Sequence, residues 1–187
     1  MQMDDVTPVE GAEDWVLAAF SKRSKVGGGT FSLVLDAALD GYVVKLTCSV
    51  ADYLALVHFT GTNPHFPVVI KHAANQGQCE SGSCHAVMME HLPEVHPLDA
   101  ATIADHINRQ DIGKNNPFGL LRAADNIENG EVPGYPATLA QAIRALGDYA
   151  RSKMLFVELN QRANWGQRAD GTLVVFDLVH TRFEAAG

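Results

Sequence analysis

The chain reads as an α+β protein in which a strand-rich first half, holding one inserted helix, gives way to a helix-rich second half and a closing hairpin. Three observations predict this. Apolar runs rich in β-branched and aromatic residues at 31–35, 42–47, 68–70 and 86–92 are set off by Gly, Asp and Pro turns. Leu139, Ile143, Leu146 and Ala150 recur at helical spacing in the longest amphipathic stretch, 138–153. Residues 157–179 then string together a polar loop, a turn and an apolar strand that ends in a carboxylate, Asp177. Strands grouped ahead of helices, rather than alternating with them, predict an antiparallel sheet beside a helical layer.

The first predicted helix starts at Thr7-Pro8-Val9-Glu10, with a capping hydroxyl, Pro at the first helical position and Glu three residues after the cap. It runs to Lys22 with Trp15, Val16, Ala19 and Phe20 inward, and SKRSK at 21–25 reads as a solvated linker. Gly27-Gly28-Gly29-Thr30 precedes the strand at 31–35, and Asp40-Gly41 turns the chain into the strand at 42–47. Ser49 opens a helix to Thr60 with Tyr53, Leu56 and Val57 inward. Asn63-Pro-His-Phe-Pro67 leads into the strand at 68–70, the Gly/Ser/Gln-rich stretch 72–85 reads as a mobile hairpin loop, and 86–92 is again a strand.

Further on, Asp99 caps a helix to Arg109 with Ile103 and Ile107 inward. A second helix, 117–128, puts Phe118, Leu121, Ala124 and Ile127 in phase, the loop 131–136 carries two prolines, and the helix 138–153 follows. Asp170-Gly171 reads as a two-residue turn into the strand 173–176. No internal repeat is visible.

With 187 residues, 47% of them hydrophobic, the chain suffices for one domain or for two small lobes sharing a core. A net charge of −8 argues against tracking nucleic-acid phosphates, which requires Lys and Arg. No apolar run approaches the ~18 residues of a membrane span. The acidic start MQMDDVTPVEGAED lacks the basic-then-apolar order of a secretory signal, so a cytoplasmic location is expected. Cys48, Cys79 and Cys84 are an odd set, expected as reduced thiols.

Three places carry chemistry. Lys45 sits inside YVVKLT on the face of Val43 and Thr47, where a lysine either snorkels from an edge or meets an anion. Gly27, Gly28 and Gly29 form either a flexible connector or a turn whose N–H groups approach phosphates. Asn164 and Asp177 offer oxygen ligands from the two ends of one hairpin, which suits Mg²⁺. A further stretch, His72 to His85 with Cys79 and Cys84, offers two thiolates and two imidazoles. Its C-x₄-C spacing and lack of a second Cys pair argue against Zn²⁺, which is not expected.

The thirteen-position interval from Asn164 to Asp177, with VVK at Lys45 and the glycines upstream, resembles the protein-kinase family, and DGTLVVFDLV is similar to the corresponding stretch of small phage-encoded serine/threonine kinases of the podophage early-protein type. The resemblance implies a minimal two-lobed kinase-like fold: an N-terminal helix and linker at 1–25, an antiparallel-sheet small lobe at 26–93, and a helical lobe at 94–187 with the catalytic-loop and metal-binding hairpin. It implies ATP and Mg²⁺ as cofactors, Lys45 on the α- and β-phosphates, Asn164 and Asp177 on the metal, and Glu90 to Pro93, with Glu90 and Leu92, as the hinge that hydrogen-bonds adenine. The implied activity is phosphorylation of Ser or Thr in a host protein, in the host-cell cytoplasm.

The pattern also departs from the family. Leu159 occupies the place of the catalytic Asp five residues before the Asn, which leaves Glu158 as the substitute base and Arg162 as the cation for the γ-phosphate. Between Ser49 and Thr60 the only acid is Asp52, so either it substitutes for the helix Glu that pairs with the lysine or that ion pair is missing. Ten residues follow Asp177, with no A-P-E motif among them, so the fold is expected to be truncated after the metal-binding segment. Two further readings stand beside an active kinase: a pseudokinase-like module that inhibits a protein partner without catalysis, and an unrelated α+β domain in which Asn164 and Asp177 serve only turns and caps.

Overall fold

YVVKLT is apolar and β-branched on both faces, and as β4 (Tyr42–Thr47) it lies inside an antiparallel sheet with five of its six residues buried. The computed structural model describes residues 6–22, 24–28, 31–79, 82–93, 103–107, 117–157, 159 and 161–181. Of these, 6–60 and 68–91 form one compact unit, and 61–67 with 92–181 form a second. The class is α+β, an antiparallel sheet unit and a helical unit, as the sequence predicts.

The sheet of the first unit also contains β1 (Thr7–Pro8), β2 (Lys25–Gly28), β3 (Ser32–Asp36), β5 (Val69–Cys79) and β6 (Gly82–Glu90), in the spatial order β1-β5-β6-β4-β3-β2. Period-two alternation divides its residues between two faces. Leu33, Leu35, Val44, Leu46, Cys84, Ala86 and Met88 form a core with Val16 and Ala19 of α1 (Asp14–Lys22), with Trp15 and Phe20 packed at its margin. The opposite face carries Val43, Lys45, Thr47, His85 and Val87 in register.

Two local expectations yield to tertiary pairing. Thr7 and Pro8 do not start a helix; they pair with Gln78 and Gly77 at the sheet edge, where a proline costs no ladder bond. The helix starts at Asp14 instead, and Glu13 N–H donates to Gln76 Oε1 at 2.7 Å. Gln76 reaches that place because β5 bulges between Ala73 and Gly77, with Asn75 at φ 56°. The stretch 72–85 is therefore mostly a long paired hairpin, not a mobile loop: its Gly and Gln residues serve a bulge and a helix cap.

In the second unit, α3 (Pro117–Glu128) packs against α4 (Ala137–Lys153), and Arg144 of α4 bridges Asp125 at 2.8 Å and Glu128 at 2.5 Å. Leu139, Ile143, Leu146 and Ala150 are buried as the spacing predicts, and so are Ile103 and Ile107 in the helical segment 103–107. The predicted caps of that helix, Asp99 and Arg109, lie outside the described residues. In α3 the buried stripe is Leu120, Ala123, Ala124 and Ile127. Phe118, expected inward, is 62% exposed because the i, i+3, i+4, i+7 set starting at Leu120 is the fuller apolar stripe.

The closing hairpin pairs β7 (Trp165–Gln167) with β8 (Leu173–Val175). Its turn has three residues rather than two. Arg168 N–H donates to Thr172 O at 2.9 Å, Gly171 N–H to Arg168 O at 2.9 Å, and Gly171 takes φ +88°, the left-handed geometry that follows a tight turn.

The segment 61–67, expected to lead into a strand of the first unit, is held by the hairpin and α4. Arg168 donates to Pro64 O and Phe66 O, Val175 N–H to His65 O at 3.0 Å, and Asn63 Nδ2 to Thr138 O at 3.0 Å. His65 is buried, with Nδ1 at 2.6 Å from Leu173 O and Nε2 at 3.0 Å from Thr138 Oγ1. Burial pushes its pKa below the ordinary 6.5, an effect that the Leu173 carbonyl opposes and the Arg168 charge reinforces.

The folded state thus prefers the neutral ring, and this contribution is complete above pH 6.5 and lost as pH falls from there through the lowered folded value. Buried His85 in the first unit acts with the same sign. Stability measured by urea unfolding should fall as pH drops below 6.5, by at most roughly 1.4 kcal/mol per pH unit for each histidine. His65→Gln should flatten the profile; an identical slope in that variant would show that His65 does not contribute.

Candidate functional site

Of the residues singled out in the sequence, Gly27, Gly28, Lys45 and Glu90 belong to the first unit and Leu92, Arg162, Asn164 and Asp177 to the second. Gly29 and Glu158 lie outside the described residues.

In the first unit the chemistry gathers at Lys45. Strand alternation turns its side chain to the face covered by α2 (Val50–Phe59), and Lys45 Nζ lies 2.7 Å from Asp52 Oδ2, with the two side chains 4% and 3% exposed. Asp52 therefore stands where the helix acid is expected, which resolves the alternative left open by the sequence. The start of α2 explains how. Ser49 is the N-cap, and its Oγ accepts from Asp52 N–H at 3.2 Å. In a full capping box the acid at this position would turn back to the N-cap N–H. Here Thr47 Oγ1 accepts from Ser49 N–H at 3.1 Å, so the Asp52 carboxylate can turn to Lys45.

Tyr53, the next residue, stacks on His85 with ring centroids 4.8 Å apart, and its hydroxyl lies 3.0 Å from His72 Nδ1.

β2 and β3 form the glycine hairpin. A Cβ on Gly28 would stand 3.0 Å from Ser32 O, so the close approach of the two strands favours glycine there, whereas Gly27 has room for a side chain. At the end of β6, Glu90 N–H donates to Val68 O at 3.1 Å and Glu90 Oε1 accepts from Val68 N–H at 2.8 Å. His91 N–H donates to Gly41 O at 2.8 Å. These N–H groups serve the fold.

In the second unit, Asn164 ends a 3₁₀ turn (Arg162–Asn164) and is buried, 8% exposed, while Arg162 is exposed. Phe176 N–H donates to Asn164 O at 3.1 Å, which ends β8 one residue earlier than expected and brings Asp177, itself exposed, beside the turn. Leu92 packs on Gly166, where a Cβ would come within 2.6 Å of it. Leu159, at the place of the catalytic base, is 1% exposed, and Trp165 Nε1 donates to its carbonyl at 2.9 Å. It is a core residue.

The sequence reading missed Cys48. The structure gathers its sulfur with those of Cys79 and Cys84, all within 4.8 Å of one another. Two signals were available: by alternation Cys48 follows Val44 and Leu46 on the α1 side, and it lies one position past a strand whose neighbour holds Cys84.

No family model matches the chain, and no curated protein matches it in sequence. Among solved structures it is similar to Rad53 (residues 1–466) in complex with AMP-PNP, at 14% identity and a TM-score of 0.40, covering 83% of this chain and 37% of that one. It is also similar to the kinase domain of PknI from Mycobacterium tuberculosis, at 14% identity and a TM-score of 0.35, covering 83% of this chain and 57% of that one. The chain thus spans well under two thirds of either structure.

A buried ion pair is costly to break from one side, because the remaining charge stays desolvated. Lys45→Met and Asp52→Leu should each destabilise the protein by about 3–5 kcal/mol in urea unfolding. Lys45→Met combined with Asp52→Leu should recover most of that loss. Strictly additive effects would show that the two side chains are not coupled.

Proposed function

We propose that the chain is a kinase-like protein that binds ATP with Mg²⁺ and transfers the γ-phosphoryl group to Ser or Thr of a protein substrate, a host protein if the chain is phage-encoded. The observation that carries this reading is the Lys45–Asp52 pair, a lysine held in the middle of a strand by an acid from the following helix, 2.7 Å away and out of water. An ion pair of this kind fixes the ammonium for a phosphate and sets its orientation before ligand arrives. Lys45 then contacts the α- and β-phosphates, Gly27 and Gly28 cover them, and Asn164 and Asp177 hold the metal. The Glu90 carbonyl and Leu92 N–H meet adenine, and Arg162 faces the γ-phosphate. Phosphoryl transfer depends chiefly on such positioning and charge neutralisation. The base is assigned to Glu158.

A second reading, a pseudokinase-like module that inhibits a protein partner without turnover, is favoured by one observation: the base position holds Leu159, buried and tied to Trp165. A carboxylate from elsewhere must then reach the substrate hydroxyl for transfer to occur.

Two measurements separate the readings. ATP with Mg²⁺ should raise the melting temperature, corresponding to about 2.7 kcal/mol at a ligand concentration of 100 Kd. Asp177→Ala, at an exposed position, should abolish the magnesium-dependent part of that rise, measured against the variant's own apo melting temperature. Transfer of γ-phosphate label to a protein acceptor that is lost in Asp177→Ala supports the kinase. Stabilisation without transfer supports the module, and no nucleotide effect at all leaves Asn164 and Asp177 as turn residues.

A further inference from the structure

The thiols lie on the α1 side of the sheet, away from Lys45. Cys84 is in β6, Cys48 follows β4, and Cys79 ends β5, so the three come from three successive strands of the sheet order. Register brings them together. Thr47 pairs with His85, which sets Cys48 across from Cys84, while Gly77 pairs with Cys84 and Cys79 with Gly82. Cys48 Sγ and Cys84 Sγ are 2.6 Å apart and all three sulfurs fall within 4.8 Å. A metal bound at about 2.3 Å by each thiolate needs sulfurs roughly 3.7–4.0 Å apart, so the Cys48 and Cys84 sulfurs must move apart for an ion to enter.

We propose that Cys48, Cys79 and Cys84 form a three-thiolate site for a soft, thiophilic metal ion, either Zn²⁺ completed by a water or Cu⁺ in trigonal coordination. The donor set decides the class. Among the described residues the group contains no carboxylate or imidazole, and hard ions such as Mg²⁺ and Ca²⁺ require oxygen. This revises the expectation from sequence, which weighed Cys79 and Cys84 with His72 and His85. In the structure those imidazoles flank Tyr53 instead, and the third thiol is Cys48.

Burial pushes the Cys84 thiol up to about 11 and the Cys48 thiol higher still. Binding of the ion forms three metal–sulfur bonds and releases three protons to solvent, so uptake must strengthen steeply with pH. The ion would staple the end of β4, the end of β5 and the start of β6. Cys48 N–H donates to Phe31 O at 3.0 Å, so the same staple borders the glycine hairpin.

The test uses the full chain, reduced and stripped of metal, titrated with Zn²⁺ against a chromogenic chelator and separately with Cu⁺ against a Cu⁺-selective chelator. Co²⁺ is the spectroscopic probe for four-coordinate thiolate binding. One ion per chain is expected, with affinity rising with pH and a thiolate charge-transfer band if a four-coordinate ion is preferred. Cys79→Ser, at a half-buried strand end, should weaken binding by more than the roughly 10–100-fold that loss of a supporting partner costs. Its melting temperature in chelator should match the parent's. Should that variant fold poorly, alkylation of the parent followed by mass spectrometry replaces it, and metal should protect Cys79. Absence of one-to-one binding by either ion, unchanged affinity in Cys79→Ser, or a Cys48–Cys84 disulfide that persists in reductant overturns the proposal. None of these outcomes involves nucleotide, so the result is independent of the kinase-like reading.

Discussion

The burial of Lys45 against Asp52 is the constraint on which the sheet unit depends. Two charges removed from water cost several kcal/mol each, and the cost is met only if both are held in close contact. The chain fixes them with two rigid elements joined by a short turn: a central strand that allows no sideways shift and a helix whose first turn places the acid. Sliding β4 by one residue would turn Lys45 into the α1 core and Val44 toward α2, so the pair also specifies register. The cap arrangement belongs to the same constraint, since Thr47 takes the Ser49 N–H that the Asp52 carboxylate would otherwise serve.

The elements legible in the sequence are those whose stability is local. The strand 42–47, the helix capped at Ser49 and the amphipathic helix carrying Leu139 and Ile143 each state their own pattern and each formed, with the expected residues buried except Val57, which is half-buried because the inward stripe of its helix runs through Ala55, Leu56 and Phe59. Thr7-Pro8 and the stretch 72–85 were misread because their structure depends on partners. A capping box is worth about 1 kcal/mol, less than an edge pairing that also seats Val6 in the core. The Gly- and Gln-rich composition of 72–85 looks like a loop because bulges use the same residues. In the candidate site, the ion pair was visible as a question, since only one acid stood between Ser49 and Thr60. The burial of Leu159 was not visible, because one leucine in a polar stretch does not reveal which way it points.

The second unit applies a different rule. Asn164 is buried because its carbonyl takes the Phe176 N–H, which fastens the 3₁₀ turn to the outgoing strand. That bond sets the spacing of residue 164 and Asp177 through backbone rather than through side-chain packing, and the Asp177 side chain is exposed. An amide fixed by the fold beside an exposed acid is what a hard cation with several waters requires. The same geometry would also suit a hairpin with no ligand, which is why the metal reading rests on nucleotide-dependent behaviour.

The two faces of the sheet hold two chemistries that period-two alternation keeps apart. On β4, Lys45 points to α2 while Val44 and Leu46 point to α1; on β6, His85 points one way and Cys84 the other. Adjacent residues of one strand therefore take part in different environments: an ion pair backed by aromatic rings on one side, and a cluster of thiols at the end of an apolar core on the other. The backbone between them is a few ångströms thick and fully paired, so a change on one face reaches the other only through register. A metal held by three thiolates would fix that register at the end of the strand, seven residues along the chain from Gly41 in the turn that starts it. The charged pair and such a metal site would thus constrain the same degree of freedom from opposite faces.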